Sequence, residues 1–349
     1  MSYRNKRKWH ELDLLCRAGA GLGPIAPAVS RILRELLDAD AILLFWLDDQ
    51  GTPAGLFHES TPDCAIELFG NDYDRFFGSP FGDNIPEADT DNERPSGLLM
   101  NPRRDYFCAK TFSLLMKAGD HLHNLNLKVE IENRPRAVVV LFRGPRKQFK
   151  RGDESYLLQA QPHLQRAIES QLAEGRWERS DLPGHLLVDP SGRSLLAMCG
   201  QASKLLEACA IVGQDVRRSE SITLPPRFAE ELCLRLESSA VTHDILDIPW
   251  GRLRMTAARM NEPNAGVASQ VLISLEMEVP RRLKTIQNIL NLSLSPLQRS
   301  IALIAAEGGS RADCLNSTGV SKEALKKHLT AIYRELGVNS WEELVKVLQ

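Results

Sequence analysis

The sequence carries almost no charge imbalance. Its 43 Lys and Arg residues nearly cancel its 45 Asp and Glu residues, leaving a formal net charge of -2. A polyanionic partner is therefore not written into the chain as a whole, and any nucleic-acid contact has to be local to one segment. Long apolar runs are missing too. No stretch of the sequence approaches the ~18 consecutive apolar residues that a membrane-spanning helix needs. The opening MSYRNKRKWHELDLL is basic but has neither an apolar core nor a small-residue cleavage site, so it does not read as a signal peptide. The seven cysteines (Cys16, Cys64, Cys108, Cys199, Cys209, Cys233 and Cys314) are odd in number, scattered, and form no CxxC. That argues against a disulfide framework or a zinc site, and for reduced residues in a cytoplasmic protein. No Ser, His and Asp set stands in a nucleophile motif, so no catalytic residue is assigned and an enzyme is not expected.

What is present is ample core material. With 349 residues, 43% hydrophobic and 25% charged, the chain has the composition of two or three globular domains. Three segments separate. In the first, residues 8–175, the spacing of Val29, Ile32, Leu33, Leu36 and Leu37 predicts a helix over Ile25 to Leu37. AILLFWL (Ala41–Leu47) reads as a strand, DDQG as a turn, and TPAGLFHES as the returning strand. VEIEN and AVVVLFR read as a second strand pair, turned at Asn133-Arg134-Pro135-Arg136. FKRGDESYLLQAQPHLQRAIESQL closes the segment as one amphipathic helix with Tyr156, Leu157, Ala160, Leu164 and Ile168 inward, capped by Asp153 and Glu154. This helix, antiparallel sheet and closing helix resemble a GAF domain in pattern.

In the second segment, residues 182–279, HLLVDPSGRSLLAMC is a hairpin signal around Asp-Pro-Ser-Gly. LLEACAIV and LPPRFAEELCLRL read as helices, the latter with prolines at its start. GRLRMTAARM and GVASQVLISLEMEV read as two strands. The order resembles a degenerate PAS domain. Residues 280–293 form a connector, with Leu283, Ile286, Ile289 and Leu290 at helical spacing. That stripe fits either a dimer seam or a helix lying on the preceding domain; two turns are too few to define a coiled coil.

Residues 294–349 are marked by helix ends. Ser295-Pro296-Leu297-Gln298 offers an N-cap, a proline at the first helical position and a capping-box glutamine. Gly308-Gly309 ends that helix, and Ser310 with Asp313 opens the next. Gly319 sits in a tight turn, Ser321 caps a third helix that Gly337 stops, and Ser340 with Glu343 opens a fourth. On the third helix Leu325, Leu329, Ile332 and Leu336 form a buried stripe, while Lys322, Lys326 and Thr330, with Lys327 beside them, follow another line. Long donors on an anchored helix suit phosphates and base edges in a major groove, and the helix N-terminus adds its own positive end. A solvated helix face explains the same lysines, since Glu323 and Glu335 share the helix. The whole segment has seven basic residues against six acidic ones, so it is no basic arm.

The strings L-S-P (294–296), A-E-G-x-S (306–310), G-V-S (319–321), K-x-H-L-x-x-I-Y-x-x-L-G-V-x-S (326–340) and E-L-V (343–345) resemble the LuxR-type helix-turn-helix domain of bacterial transcription regulators, without a gap, over about a sixth of the chain. The resemblance implies that Lys326, Lys327 and Thr330 face the groove, that Thr318, Ser321, Lys322 and Arg311 approach DNA, and that the fourth helix makes the dimer contact through Trp341, Leu344, Val345 and Leu348. It implies double-stranded DNA and a second copy of the chain as partners, with RNA polymerase and a small-molecule ligand of the N-terminal domains as further candidates. Departures fall at Leu297, Gln298 and Ser300, where the family has acidic residues, and at Ala312 and Ala324, where a cation and a hydroxyl are replaced. Those two alanines also fit an adaptor whose helical unit docks on another regulator.

Within that family, a receiver domain would need an acidic pair at a strand end, but Asp48-Asp49 lies in a turn between strands. An acyl-homoserine-lactone receptor's W-x-x-x-Y constellation is not reproduced at Phe45-Trp46-Leu47-Asp48, and the ATPase motif GxxxxGK[ST] is absent. His121 and His123 alternate as if on one strand face and suit either a metal or a polar surface; no third ligand is evident, so no metal site is assigned. Cys108, beside Phe107, reads as core or as a redox-sensitive thiol. The expectation is thus a multidomain α+β sensory region, GAF-like then PAS-like, followed by an all-α four-helix helix-turn-helix domain, acting as a one-component regulator with no cofactor.

Overall fold

The computed structural model describes residues 3–47, 53–59, 96–98, 121–169, 176–179, 182–210, 227–236, 238–248, 250–261 and 268–349. Asp48, Asp49 and Cys108 lie outside the described residues. The architecture is mixed α+β, with two antiparallel sheets and a set of C-terminal helices.

The first sheet has five strands in the order β2-β1-β5-β4-β3. They are β1 (Ala41–Leu47), β2 (Pro53–Glu59), β3 (Ser96–Leu98), β4 (His123–Ile131) and β5 (Arg134–Arg143). β1 lies between β2 and β5 and is buried along its whole length, which is why AILLFWL is apolar at every position instead of alternating. One face meets helices α1 (Tyr3–Cys16), α2 (Ala26–Leu37), α3 (Arg151–Leu158) and α4 (Gln161–Glu169). Ile42, Leu44, Leu125, Leu127, Val139 and Leu141 pack there with Leu12, Leu33, Leu157 and Leu164.

Two sequence expectations shift. The β4–β5 turn is Glu132-Asn133, both at positive φ (51° and 60°), and Arg134-Pro135-Arg136 belong to β5. Two residues in the left-handed region make the tight turn whose twist matches a hairpin. The closing helix is in fact two, α3 and α4, separated at Gln159-Ala160. Pro162 lacks an N–H and is tolerated in the first turn of a new helix, not in the middle of a long one. Arg143 fastens the corner: it donates to the carbonyls of Leu37, Asp38 and Gln148 and to Asp153, which caps α3 through the Lys150 amide.

The second sheet runs β8-β7-β11-β10-β9, with β6 pairing to β11. Its strands are β6 (Trp177–Arg179), β7 (Gly184–Val188), β8 (Leu195–Met198), β9 (Val241–Ile248), β10 (Gly251–Asn261) and β11 (Ala268–Pro280). Helices α5 (Gly200–Ala210) and α6 (Arg227–Arg235) pack on it, with Leu186, Ala202, Leu232, Met255 and Ile273 in the core. The sheets meet where Trp250, in the β9–β10 turn, packs edge-on against Trp46 and Phe57.

β11 runs directly into α7 (Arg281–Asn291), with Pro280 as its N-cap. Leu283, Ile286 and Ile289 of α7 are buried, and the helix packs on α1, β11 and α8 (Pro296–Ala306). The connector stripe is therefore occupied by contacts within the chain. α9 (Arg311–Thr318), α10 (Lys322–Leu336) and α11 (Trp341–Leu348) complete the C-terminal helices. Their core, including Ile301, Ala302, Leu325, Ile332 and Leu344, is continuous with that of the first sheet and its helices. No helix of the described residues is long and apolar enough to cross a membrane.

Candidate functional site

The C-terminal helices are delimited by the residues that the sequence marks as caps. The Ser295 hydroxyl accepts the Gln298 amide at 3.4 Å, and the Gln298 side chain accepts the Ser295 amide at 2.8 Å. Ser310 and Asp313 make the same reciprocal pair, at 3.2 and 2.7 Å. These hydrogen bonds hold the Asp313 carboxyl below the usual carboxylate range. Ser321 caps α10 by accepting the Ala324 amide at 3.2 Å, and Ser340 caps α11 by accepting the Glu343 amide at 3.1 Å. Glu343 returns its carboxylate to the Asn339 amide rather than to Ser340.

Between α9 and α10 lie only Gly319, Val320 and Ser321. Gly319 has φ 67° and its amide donates to the Leu315 carbonyl, closing α9 in a left-handed cap. An added Cβ would touch nothing there, so the need for glycine is one of backbone strain. The turn sends α10 off at once, with no slack between the helices.

α10 divides its surface sharply. Leu325, Leu329 and Ile332 are buried, while Lys322, Lys326, Lys327 and Thr330 are exposed. The exposed set runs from the first turn to the middle of the helix, and at Lys322 the free backbone N–H groups of the first turn and the helix dipole favour an anion. The Thr330 hydroxyl donates to the Lys326 carbonyl at 3.0 Å, so its oxygen is left as an acceptor toward solvent. Thr318 is half-buried and its hydroxyl donates to the Cys314 carbonyl at 2.6 Å. Arg311 is exposed, with its guanidinium 5.9 Å from the Trp341 ring centre. The candidate residues thus fall on the α9–α10 unit, and all of them except Thr318 (Arg311, Ser321, Lys322, Lys326, Lys327 and Thr330) are exposed.

The residues expected at a dimer contact are placed otherwise. Trp341, Leu344 and Leu348 are buried against α8 of the same chain, and Val345 is half-buried. What α11 turns outward is Glu342, Glu343, Lys346 and Val347. His121 and His123 also diverge. His121 stacks on Phe142 at 5.2 Å, whereas His123 pairs across the sheet with Arg143, whose side chain leaves the opposite face. Among the described residues no group of three His, Cys, Asp or Glu side chains could hold a metal ion. Cys16, Cys199, Cys233 and Cys314 are free thiols, and burial pushes the Cys16 thiol up to about 12, which leaves it unreactive.

Sequence reasoning missed one feature altogether. Arg299 of α8 is fully buried, and its Nη1 donates to Glu11 of α1 at 2.6 Å. Its Nη2 donates to the Leu290 carbonyl in the last turn of α7 at 2.9 Å. One guanidinium therefore joins three helices. The partners are 288 residues apart, so no local spacing could reveal the pair.

No family model matches the chain, and no curated protein matches it. Among solved structures it is similar to one described as "Crystal Structure of the E.coli DhaR(N)-DhaL complex", at 14% identity and a TM-score of 0.26, covering 78% of this chain and 88% of that one. It is also similar to one described as "Sensor region of a sensor histidine kinase", at 12% identity and a TM-score of 0.19, covering 74% and 94%. Scores at that level define no common fold, and the functional reading has to come from the residues themselves.

Proposed function

We propose that the chain is a DNA-binding transcriptional regulator of the one-component type, with a LuxR-type helix-turn-helix at residues 294–349 and GAF-like and PAS-like sensory domains before it. The observation that carries this reading is the division of α10. Its apolar stripe anchors the helix, and Lys322, Lys326, Lys327 and Thr330 stand exposed from its first turn to its middle, behind a glycine turn and a serine cap. An anchored helix with exposed donors at its leading end is what major-groove reading requires. Lys326, Lys327 and Thr330 would reach base edges; Ser321, Lys322, Arg311 and the α9 end near Thr318 would meet phosphates.

In this reading the protein binds as a homodimer on paired half-sites. With Trp341, Leu344 and Leu348 occupied inside the chain, the outward face of α11 around Val347 is the part of that helix left for a second copy. The N-terminal sheets would take a small molecule or a protein partner, and the regulator would act on RNA polymerase. The outward α11 face, one exposed valine among Glu342, Glu343 and Lys346, also supports a second reading, in which the helical unit docks on another regulator.

The test is fluorescence anisotropy of the full chain with duplex DNA over a range of salt. Affinity should fall with rising salt and weaken further on Lys326→Ala. Affinity for a protein partner with no affinity for duplex DNA would select the docking reading instead.

A further inference from the structure

Helix α1 stands between two parts of the molecule and is tied to each by a different face. Toward the first sheet's helices, the Trp9 indole N–H donates to the Tyr156 hydroxyl of α3 at 2.9 Å, with the rings edge to face at 5.4 Å. Asp13 pairs with Arg166 and His163 of α4 at 3.0 and 3.2 Å, and Lys8 pairs with Glu35 of α2. Toward the C-terminal helices, Glu11 meets Arg299, and His10 lies 3.5 Å from the Ser300 hydroxyl. At 3.6 residues per turn, positions two apart lie roughly 200° round a helix. Trp9 and Asp13 are each two residues from Glu11, so their contacts leave the side of α1 opposite Glu11, while Lys8 lies nearer to Glu11's own side. Leu12, Leu14 and Leu15 are buried between them, which makes α1 a packed and stiff element.

The far side of the junction carries an ion pair that is not fully satisfied. Arg299 is wholly buried, yet its Nε–H has no acceptor among the described residues. A buried donor left unmade costs free energy, and a buried ion pair regains hydration when it separates. Apolar packing of Leu283, Ile286 and Ile289 joins the connector to the C-terminal helices, and the other polar links between them are exposed. Arg282 pairs with Glu307 at 2.7 Å, Arg281 reaches the Gln349 carbonyl, and the Ser293 amide donates to Glu335 at 2.8 Å. Exposed pairs of this kind hold weakly. Arg299 also grips the end of α7, which continues β11 of the second sheet, so polar contacts from α1 and from α7 converge on this one side chain.

We propose that α1 is a transmission helix: a shift of α3 or α4 is passed across it to α7 and α8 through the Glu11–Arg299 pair, setting whether the C-terminal helices stay docked. The docked form leaves Lys322, Lys326 and Lys327 exposed, so the device works by positioning the helical unit and not by covering it. It stands on these contacts whether or not α10 binds DNA.

The test is hydrogen–deuterium exchange on the full chain, comparing wild type, Arg299→Lys, Tyr156→Phe and the double variant. Lysine cannot reach Glu11 and the Leu290 carbonyl together, so Arg299→Lys should speed exchange in α1 and the last turn of α7 by about tenfold, with α10 unchanged. Tyr156 lies on α3, far in sequence from α7, yet Tyr156→Phe should also speed exchange at the last turn of α7. The two effects should be non-additive by about fivefold or more, as coupled sites are. An effect of Tyr156→Phe confined to α1 and α3, additive effects, or a uniform rise across all helices would each overturn the proposal. Glu11→Gln, which keeps the shape and removes the charge, serves where Arg299→Lys unfolds, with the same expected pattern.

Discussion

The C-terminal helices hold two kinds of cation with opposite fates. Lys322, Lys326 and Lys327 stand in solvent on α10, while Arg299, on α8, is buried and paired with Glu11. A count of charges along the sequence treats all four alike. The fold leaves the lysines facing outward and turns Arg299 inward, onto Glu11 and the Leu290 carbonyl. The lysines are thus available for recognition, and the arginine is committed to holding α1, α7 and α8 together. Exposed cations and a buried, joining cation are separated within one small unit.

That separation is breakable by substitution. The largest effect is expected at Arg299. Arg299→Ala opens a hole at a buried junction and leaves Glu11 with only Arg7, and should cost about 3 kcal/mol of stability, read from the midpoint of urea unfolding at an unchanged m-value. Next comes Lys326→Ala, which should weaken DNA binding by about 1–3 kcal/mol while moving the unfolding free energy by less than about 0.5 kcal/mol. A stability loss at Lys326 equal to that at Arg299 would erase the distinction between the two sites. Smaller again is the turn that aims the lysines. Gly319→Ala forces a side chain into φ 67° and should cost about 1 kcal/mol, measured in the same urea titration.

The smallest effect concerns pH at the junction. Burial lowers the His10 pKa, as does Arg299 of α8, while Asp13 and Glu11 on its own helix and the Pro296 carbonyl of α8 act in the opposite sense. The docked form therefore prefers neutral His10. As pH falls through the ordinary histidine value of about 6.5 toward the lowered one, the undocked form takes the proton first and docking weakens. Unfolding midpoints compared at pH 7.5 and 5.5 should drop in wild type, and drop less in His10→Gln.

Much of the fold was legible because local chemistry repeats. AILLFWL, the Asp-Pro-Ser-Gly hairpin and every serine cap from Ser295 to Ser340 appear where the residues place them. The apolar stripe of α10 was equally legible, because one side of that helix packs and the other does not. α1 was missed for the converse reason: a helix buried on several sides has no clean stripe, and its polar residues (Lys8, His10, Glu11, Asp13) are the contacting ones. β9 was missed because its pattern is inverted. Val241 and Ile245 face solvent while Thr242 and Asp244 turn toward the helices' side. Trp341, Leu344 and Leu348, expected on α11 at a dimer contact, are buried against α8. Apolar spacing tells which face packs, not against which partner.

Binding of duplex DNA by the exposed face of α10 is tested most directly by salt. The measurement is the salt dependence of full-chain affinity for mixed-sequence duplex DNA, compared with that of the Lys326→Ala, Lys327→Ala double variant. Log affinity is expected to fall linearly with log salt in the wild type. The double variant is expected to bind more weakly, with a slope smaller by about 0.9 for each phosphate it no longer neutralises. An affinity that ignores salt, or a double variant that binds as the wild type does, would contradict DNA binding by this face.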